Sequence, residues 1–153
     1  MKVTILIPVF NEENTIIEIL NRVNSEKKDE TEIEIIVVDD CSTDNSKNLL
    51  KENTELFDKL VELEKNLGKG GAVREGLKHS TGDYVLFQDA DLEYSPKDYG
   101  KIFRILHEFN ADVVIGSRFL SPEYTRVHYF FHKVGNRSIT LLFNLLYNTT
   151  FTD

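Results

Sequence analysis

GDYVLFQDADLEYSP, residues 82–96, holds the pattern that decides the fold. Tyr84-Val85-Leu86-Phe87 is a short run of strand-forming apolar residues, bounded by Gly82-Asp83, and predicts a buried strand. The run stops at Gln88-Asp89-Ala90-Asp91, all polar but one. Pro96 then opens a helix predicted over 96–109, in the first turn, where a proline costs no hydrogen bond. Strand, polar tip and helix follow one another within a single stretch.

The same unit recurs on both sides. Val3–Ile7, Ile33–Val38, Lys59–Leu63 and Asp112–Ile115 read as further strands. Glu12–Val23 reads as a helix with Ile16, Ile19, Leu20 and Val23 on one face. Asp44 is placed to cap a second helix, Gly71–His79 forms a third that closes at Gly82, and Val134–Tyr147 forms a last one. Strands alternating with helices predict one α/β domain with a mostly parallel sheet. Such sheets bind ligands at the carboxyl ends of their strands. Each strand here ends in polar residues: Pro8–Glu12, Asp39–Ser42, Lys65–Gly71, Gln88–Asp91 and Gly116–Arg118.

These tips contain the candidate chemistry. Asp89 and Asp91, one residue apart past a strand, can reach one hard cation such as Mg²⁺ or Mn²⁺, with Glu93 as a further ligand. A cation there would neutralise a departing diphosphate. A D-x-D triplet also simply caps turns. Asp39-Asp40 can accept hydrogen bonds from a ribose or base, or serve as an Asx turn before Ser42-Thr43-Asp44. Asp44 is assigned to capping. Gly68-Lys69-Gly70-Gly71 lacks the spacing of a P-loop. It reads either as a flexible turn or as a close approach of backbone to ligand, with Lys69 or Arg74 nearby.

Composition narrows the classes. The chain has 153 residues and a net charge of −8, which argues against nucleic acid as a partner. Yet the segment from Arg118 to Arg137 sums to +3, with His128 and His132 besides. Arginines suit phosphate oxygens, although scattered surface charge is the simpler reading. One cysteine, Cys41, permits no internal disulfide and suits a reducing compartment. No run approaches the ~20 apolar residues of a membrane-spanning helix, and Val3–Phe10, broken by Pro8, is no signal peptide.

Together the stretches ILIPVFNEENTI (5–16), EIIVVDDCSTDNS (34–46), NLGKGGAVREG (66–76), GDYVLFQDADLEYSP (82–96), DVVIGSRF (112–119) and RVHYFFHKVGNRSITLLFNLLYN (126–148) resemble family 2 glycosyltransferases. The resemblance is to dolichyl- and polyprenyl-phosphate sugar synthases in particular. It implies a three-layer, Rossmann-like GT-A domain that binds a UDP- or GDP-sugar. Pro8, Phe10 and Glu12 would line the nucleotide pocket, and Val38 and Asp40 would contact base or ribose. Asp89, Ala90 and Asp91 would hold the diphosphate through the metal, with Arg118 beside it. Lys69 joins them as a donor-binding candidate, and Asp91 and Arg118 are the catalytic candidates. Arg126, His132 and Arg137 would face an acceptor phosphate.

The implied reaction is inverting transfer of a hexose to a polyprenyl or dolichyl phosphate. Two alternatives stand beside it: transfer to a sugar or protein hydroxyl, and a nucleotide-sugar-binding fragment without turnover. In the family a Thr-Asp pair like Thr152-Asp153 begins a further segment. The expectation is therefore a GT-A domain whose acceptor side lies past the chain end. The full-length protein is expected in the cytoplasm, at the cytoplasmic face of a membrane.

Overall fold

The computed structural model describes residues 1–27, 31–116 and 130–150, the side chains of 130–133 excepted. They form two compact units, Met1–Phe109 and Asn110–Asp153.

The first unit is built on a parallel four-stranded sheet in the order β3-β2-β1-β4. Its strands are β1 (Lys2–Val9), β2 (Glu32–Asp39), β3 (Lys59–Glu62) and β4 (Tyr84–Phe87). The helices are α1 (Ile16–Asn24), α2 (Ser46–Glu52), α3 (Gly68–Leu77) and α4 (Tyr99–Phe109). β1 and β2 are central and covered on both faces, so they carry near-continuous apolar runs. Val3, Ile5, Leu6 and Ile7 of β1 and Ile35, Ile36, Val37 and Val38 of β2 are fully buried. From β1 the chain winds outward to β2 and β3, then returns across β1 to β4. That reversal leaves a crevice between the carboxyl ends of β1 and β4, the point where α/β sheets bind ligands.

Three helices start elsewhere than the sequence predicts, the last of them α5 (Phe130–Tyr147), expected from Val134. α1 begins at Ile16, not Glu12. The backbone N–H groups of Glu12 and Glu13 donate instead to Ser46 Oγ at 2.8 Å and Asp44 Oδ2 at 3.1 Å, and Asn11 adopts φ 57°. The tip of β1 is thus tied to the loop after β2 before the helix can start. Asp44 stands one residue before the N-cap of α2, Asn45, and supports the helix start from there: its Oδ1 also accepts the Ser46 N–H at 2.9 Å.

α3 begins at Gly68, so the glycine-rich stretch is its first turn rather than a flexible loop. Asp40 Oδ1 accepts the Leu67 N–H at 2.7 Å and Asn66 Oδ1 the Gly68 N–H at 3.1 Å, which starts the helix early. Gly68 has φ +72°, open to glycine without strain. Farther along, a Cβ at Gly76 would strike a Leu6 methyl and come within 2.9 Å of Val38 Cγ2, so only glycine lets α3 lie this close to the sheet.

In the second unit the described residues hold one helix, α5 (Phe130–Tyr147). The expected fifth strand, Asp112–Ile115, is absent there. A strand persists by pairing and by burying its side chains; Val113 and Ile115 have the right β-branched chemistry but are 67% and 55% exposed. α5 closes with Thr149 N–H and Oγ1 bonded to Asn144, and Asn148 at φ 51°. Among the described residues no helix is long and apolar enough to cross a membrane.

Candidate functional site

The crevice holds a cavity of about 230 Å³. The wall is made by the β1 tip (Pro8, Val9, Phe10, Glu12), the β2 tip (Asp40), α3 (Lys69, Ala72) and the β4 tip (Asp89, Ala90, Asp91). Sites that enclose a whole small ligand run to roughly 300–1,000 Å³, so this cleft is sized for part of one.

Each wall residue is held by its neighbourhood. Glu12 Oε2 accepts the Thr15 hydroxyl at 2.8 Å. Asp40 is 2% exposed and uses one oxygen to anchor α3, so it has a structural task as well as a place on the wall. Asp39, its neighbour, accepts the Ser42 N–H at 3.2 Å in the turn expected of it, while its Oδ2 is buried without a hydrogen-bond partner. Asp91 is exposed and its Oδ1 accepts the Glu93 N–H at 3.0 Å. Asp89 is partly buried and pairs with Lys69, Nζ to Oδ1, at 2.5 Å. Phe10 keeps its ring 45% exposed over the cleft.

Of the donor-site residues predicted from the sequence, all but Val38 and Arg118 meet on this wall. Val38 does not: it pairs with Pro8 in the middle of the sheet, and its side chain packs with Leu6, Ile36 and Ala72 in the core. Glu93 is off the wall too. Arg118 and Arg126 and the side chain of His132 lie outside the described residues. Arg137 is exposed on α5.

The sequence reading gave no role to Gln88. Its side chain is buried and organises the whole β4 tip. Gln88 Nε2 donates to the Asp89 and Tyr94 carbonyls at 2.9 and 3.1 Å, and Oε1 accepts the Tyr99 hydroxyl at 2.7 Å. Burial, with the Glu26 charge adding to it, pushes the Tyr99 phenol well above its usual pKa and keeps it a donor. A long polar side chain closing an apolar strand run was the available signal. Leu92, at φ 65°, completes the turn that projects Asp89 and Asp91. A branched residue in this region is strained, and such strain gathers at functional sites.

The wall carries Glu12, Asp40, Asp89 and Asp91 against the one cation Lys69. An anionic diphosphate would be repelled by that set, whereas a divalent cation would be attracted. Among the described residues no three His, Cys, Asp or Glu side chains gather closely enough to cage an ion. Asp89 and Asp91 could supply at most part of the oxygen ligands of a hard cation, the rest coming from phosphate or water.

Comparison with known proteins agrees with this architecture. Residues 4–151 match the Glycosyl transferase family 2 model. An undecaprenyl-phosphate 4-deoxy-4-formamido-L-arabinose transferase of Proteus mirabilis is 37% identical over 117 residues, 74% of this chain and 36% of that protein. The poly(ribitol-phosphate) beta-N-acetylglucosaminyltransferase TarS of Staphylococcus aureus is 34% identical over 75% of this chain and 20% of its own length. The chain thus spans about a third or less of the length of these relatives. A crystal structure of S. aureus TarS superposes with a TM-score of 0.68 at 28% identity, covering 84% of this chain and 23% of that one. A mannosyltransferase from Pyrobaculum calidifontis, solved with GDP-Man and Mn²⁺, gives 0.61 at 28% identity, covering 69% and 32%. With its parallel sheet and the GT-A fold of these transferases, the chain belongs to glycosyl transferase family 2.

Proposed function

We propose that this chain forms the donor site of an inverting, metal-dependent hexosyltransferase that uses a UDP- or GDP-sugar and a polyprenyl phosphate acceptor. The observation that carries the donor half is the gathering of Phe10, Glu12, Asp40, Asp89 and Asp91 around one cleft at the switch point of the sheet. The exposed Phe10 ring offers a face to a nucleobase, and Asp40 offers a carboxylate to a ribose or base N–H. Asp89 and Asp91 would hold Mg²⁺ or Mn²⁺, which when bound stabilises negative charge on a leaving diphosphate. Structures of relatives with UDP, UDP-GlcNAc or GDP-Man support a nucleotide-sugar ligand.

The undecaprenyl-phosphate relative supports the acceptor half. A phosphate monoester, with its second pKa near ~6, is already a nucleophile at neutral pH. The protein then has to position it and needs no general base. TarS, a transferase to poly(ribitol-phosphate), supports a second reading in which a hydroxyl is the acceptor. On either reading the full-length protein would work at the cytoplasmic face of a membrane, with Arg118 beside the diphosphate and Arg126, His132 and Arg137 toward the acceptor.

Calorimetry with UDP- and GDP-sugars, with and without Mn²⁺, tests the donor half. Metal-dependent binding of one nucleotide series is expected, and no binding in either would overturn it. Radiolabelled sugar offered to the full-length protein with undecaprenyl phosphate tests the acceptor half. Label in the lipid phase is expected, and label on an added polyol but not on lipid would favour the hydroxyl reading.

A further inference from the structure

We propose that Lys69 is the resident counter-ion of Asp89 and competes with the divalent cation for it, so that metal enters the cleft together with a nucleoside diphosphate rather than ahead of it. This rests on the reading of the cleft as a metal and diphosphate site.

Lys69 Nζ lies 2.5 Å from Asp89 Oδ1. The recorded partners of the other wall carboxylates are neutral donors: the Thr15 hydroxyl for Glu12, the Leu67 N–H for Asp40 and the Glu93 N–H for Asp91. Among the described residues, Asp89 is the wall carboxylate whose charge is matched by a cation. An ammonium and a divalent ion cannot both sit against one carboxylate oxygen, because like charges at contact repel strongly in a partly desolvated cleft. A metal that takes Oδ1 must therefore displace the ammonium from it.

Lys69 is built to leave. Its backbone is held in the first turn of α3, whose start is fixed by Asp40 and Asn66 and whose Ala72 is buried against the sheet. Its side chain is 64% exposed, against 25% for Asp89, so the long stem can swing while the carboxylate stays. In an empty cleft a displaced Lys69 loses its partner to the incoming metal. With a diphosphate present it gains another, since lysine binds phosphate as a mobile point charge. Displacement is uncompensated in the first case and compensated in the second. Metal and diphosphate are then positively coupled through Lys69, and the coupling is reciprocal.

The test is Mn²⁺ binding followed by electron paramagnetic resonance, with and without UDP and in a parallel series with GDP. Lys69→Met should bind Mn²⁺ alone roughly two- to fivefold more tightly than the parent, the range for removing one competing solvent-exposed ion pair. The enhancement of Mn²⁺ affinity by the nucleotide should shrink in the same variant, and Lys69→Arg should restore the parental pattern. If Lys69 merely ties α3 to the β4 tip, Lys69→Met lowers the thermal midpoint but leaves metal affinity and coupling unchanged, and the inference is overturned. If the parent takes up no Mn²⁺ even with nucleotide, the cleft reading fails and takes this inference with it. Mn²⁺ uptake by the parent with nucleotide, together with an unaltered Lys69→Met, defeats the inference alone.

Discussion

Asp91 lines the cleft from an exposed position, so its carboxylate can be removed without opening the core. Asp91→Ala should therefore unfold within ~0.5 kcal/mol of the parent, the usual range for a surface change. It should lose at least about tenfold in Mn²⁺-dependent donor affinity, the effect of deleting a charged hydrogen-bonding partner. Calorimetry beside a urea melt separates the two, and unchanged donor affinity would remove Asp91 from the site. Gln88 presents the opposite case, a buried residue that does not line the cleft but holds the carbonyls of Asp89 and Tyr94 and the Tyr99 hydroxyl. Gln88→Leu leaves that buried hydroxyl without its acceptor, which costs about 1–3 kcal/mol. Because the β4 tip loses its anchor, donor affinity should fall as well. A melt that moves with no change in binding would show that the tip holds its shape unaided.

At the scale of elements, α3 lies against β1 and β2 because Gly76 leaves room for Leu6 and Val38. Gly76→Ala should destabilise the protein by about 1–3 kcal/mol through overpacking, read as a lower urea midpoint with an unchanged slope. At the opposite end of the sheet, Glu34 ties β2 to β1 and to the turn before β4. It accepts the Thr4 hydroxyl at 2.6 Å, the Thr81 N–H at 2.9 Å and the Thr81 hydroxyl at 2.6 Å. Desolvation alone would raise its pKa. The Thr4 and Thr81 hydrogen bonds, with Lys2 adding to them, outweigh it and hold the carboxyl at about 2, against 4.5 for a free one. A depressed acid stabilises above its unfolded pKa and loses that contribution as pH falls through the folded one. The stability gap between the parent and Glu34→Gln should be full at neutral pH and should close between about 4.5 and about 2; a gap independent of pH would refute it. β4 and the polar tips were legible because an apolar run ending in carboxylates has few other readings. The early start of α3 was not, because glycine has poor helix propensity and a local pattern does not show that Asp40 and Asn66 accept the Leu67 and Gly68 N–H groups. The strand expected at 112–115 misled for the converse reason: β-branched residues promise a strand, but pairing is decided by tertiary partners that a local pattern does not contain. The place of Val38 was not legible either, since alternation turns its side chain toward Leu6, Ile36 and Ala72 in the core.

For the molecule as a whole, the described residues of the cleft wall all lie in the unit Met1–Phe109. A ligand that binds the folded form alone stabilises it by about 2.7 kcal/mol at a hundred times its dissociation constant. UDP or GDP with Mn²⁺ should therefore raise the unfolding midpoint of this unit, and Asp91→Ala should abolish the rise. A midpoint unmoved by saturating nucleotide and metal would count against a donor site in this unit. One more property follows from the strand order. β1 is made first but acquires its β4 neighbour late: the Lys2 N–H meets Asp83 Oδ2 across 81 positions of chain. Closing a loop that long is slow, and pairing of this kind delays folding. The cleft has β1 on one bank and β4 on the other, so a chain still growing from the ribosome has half a binding site until its fourth strand emerges. Both banks of the cleft are present only once β4 has docked on β1.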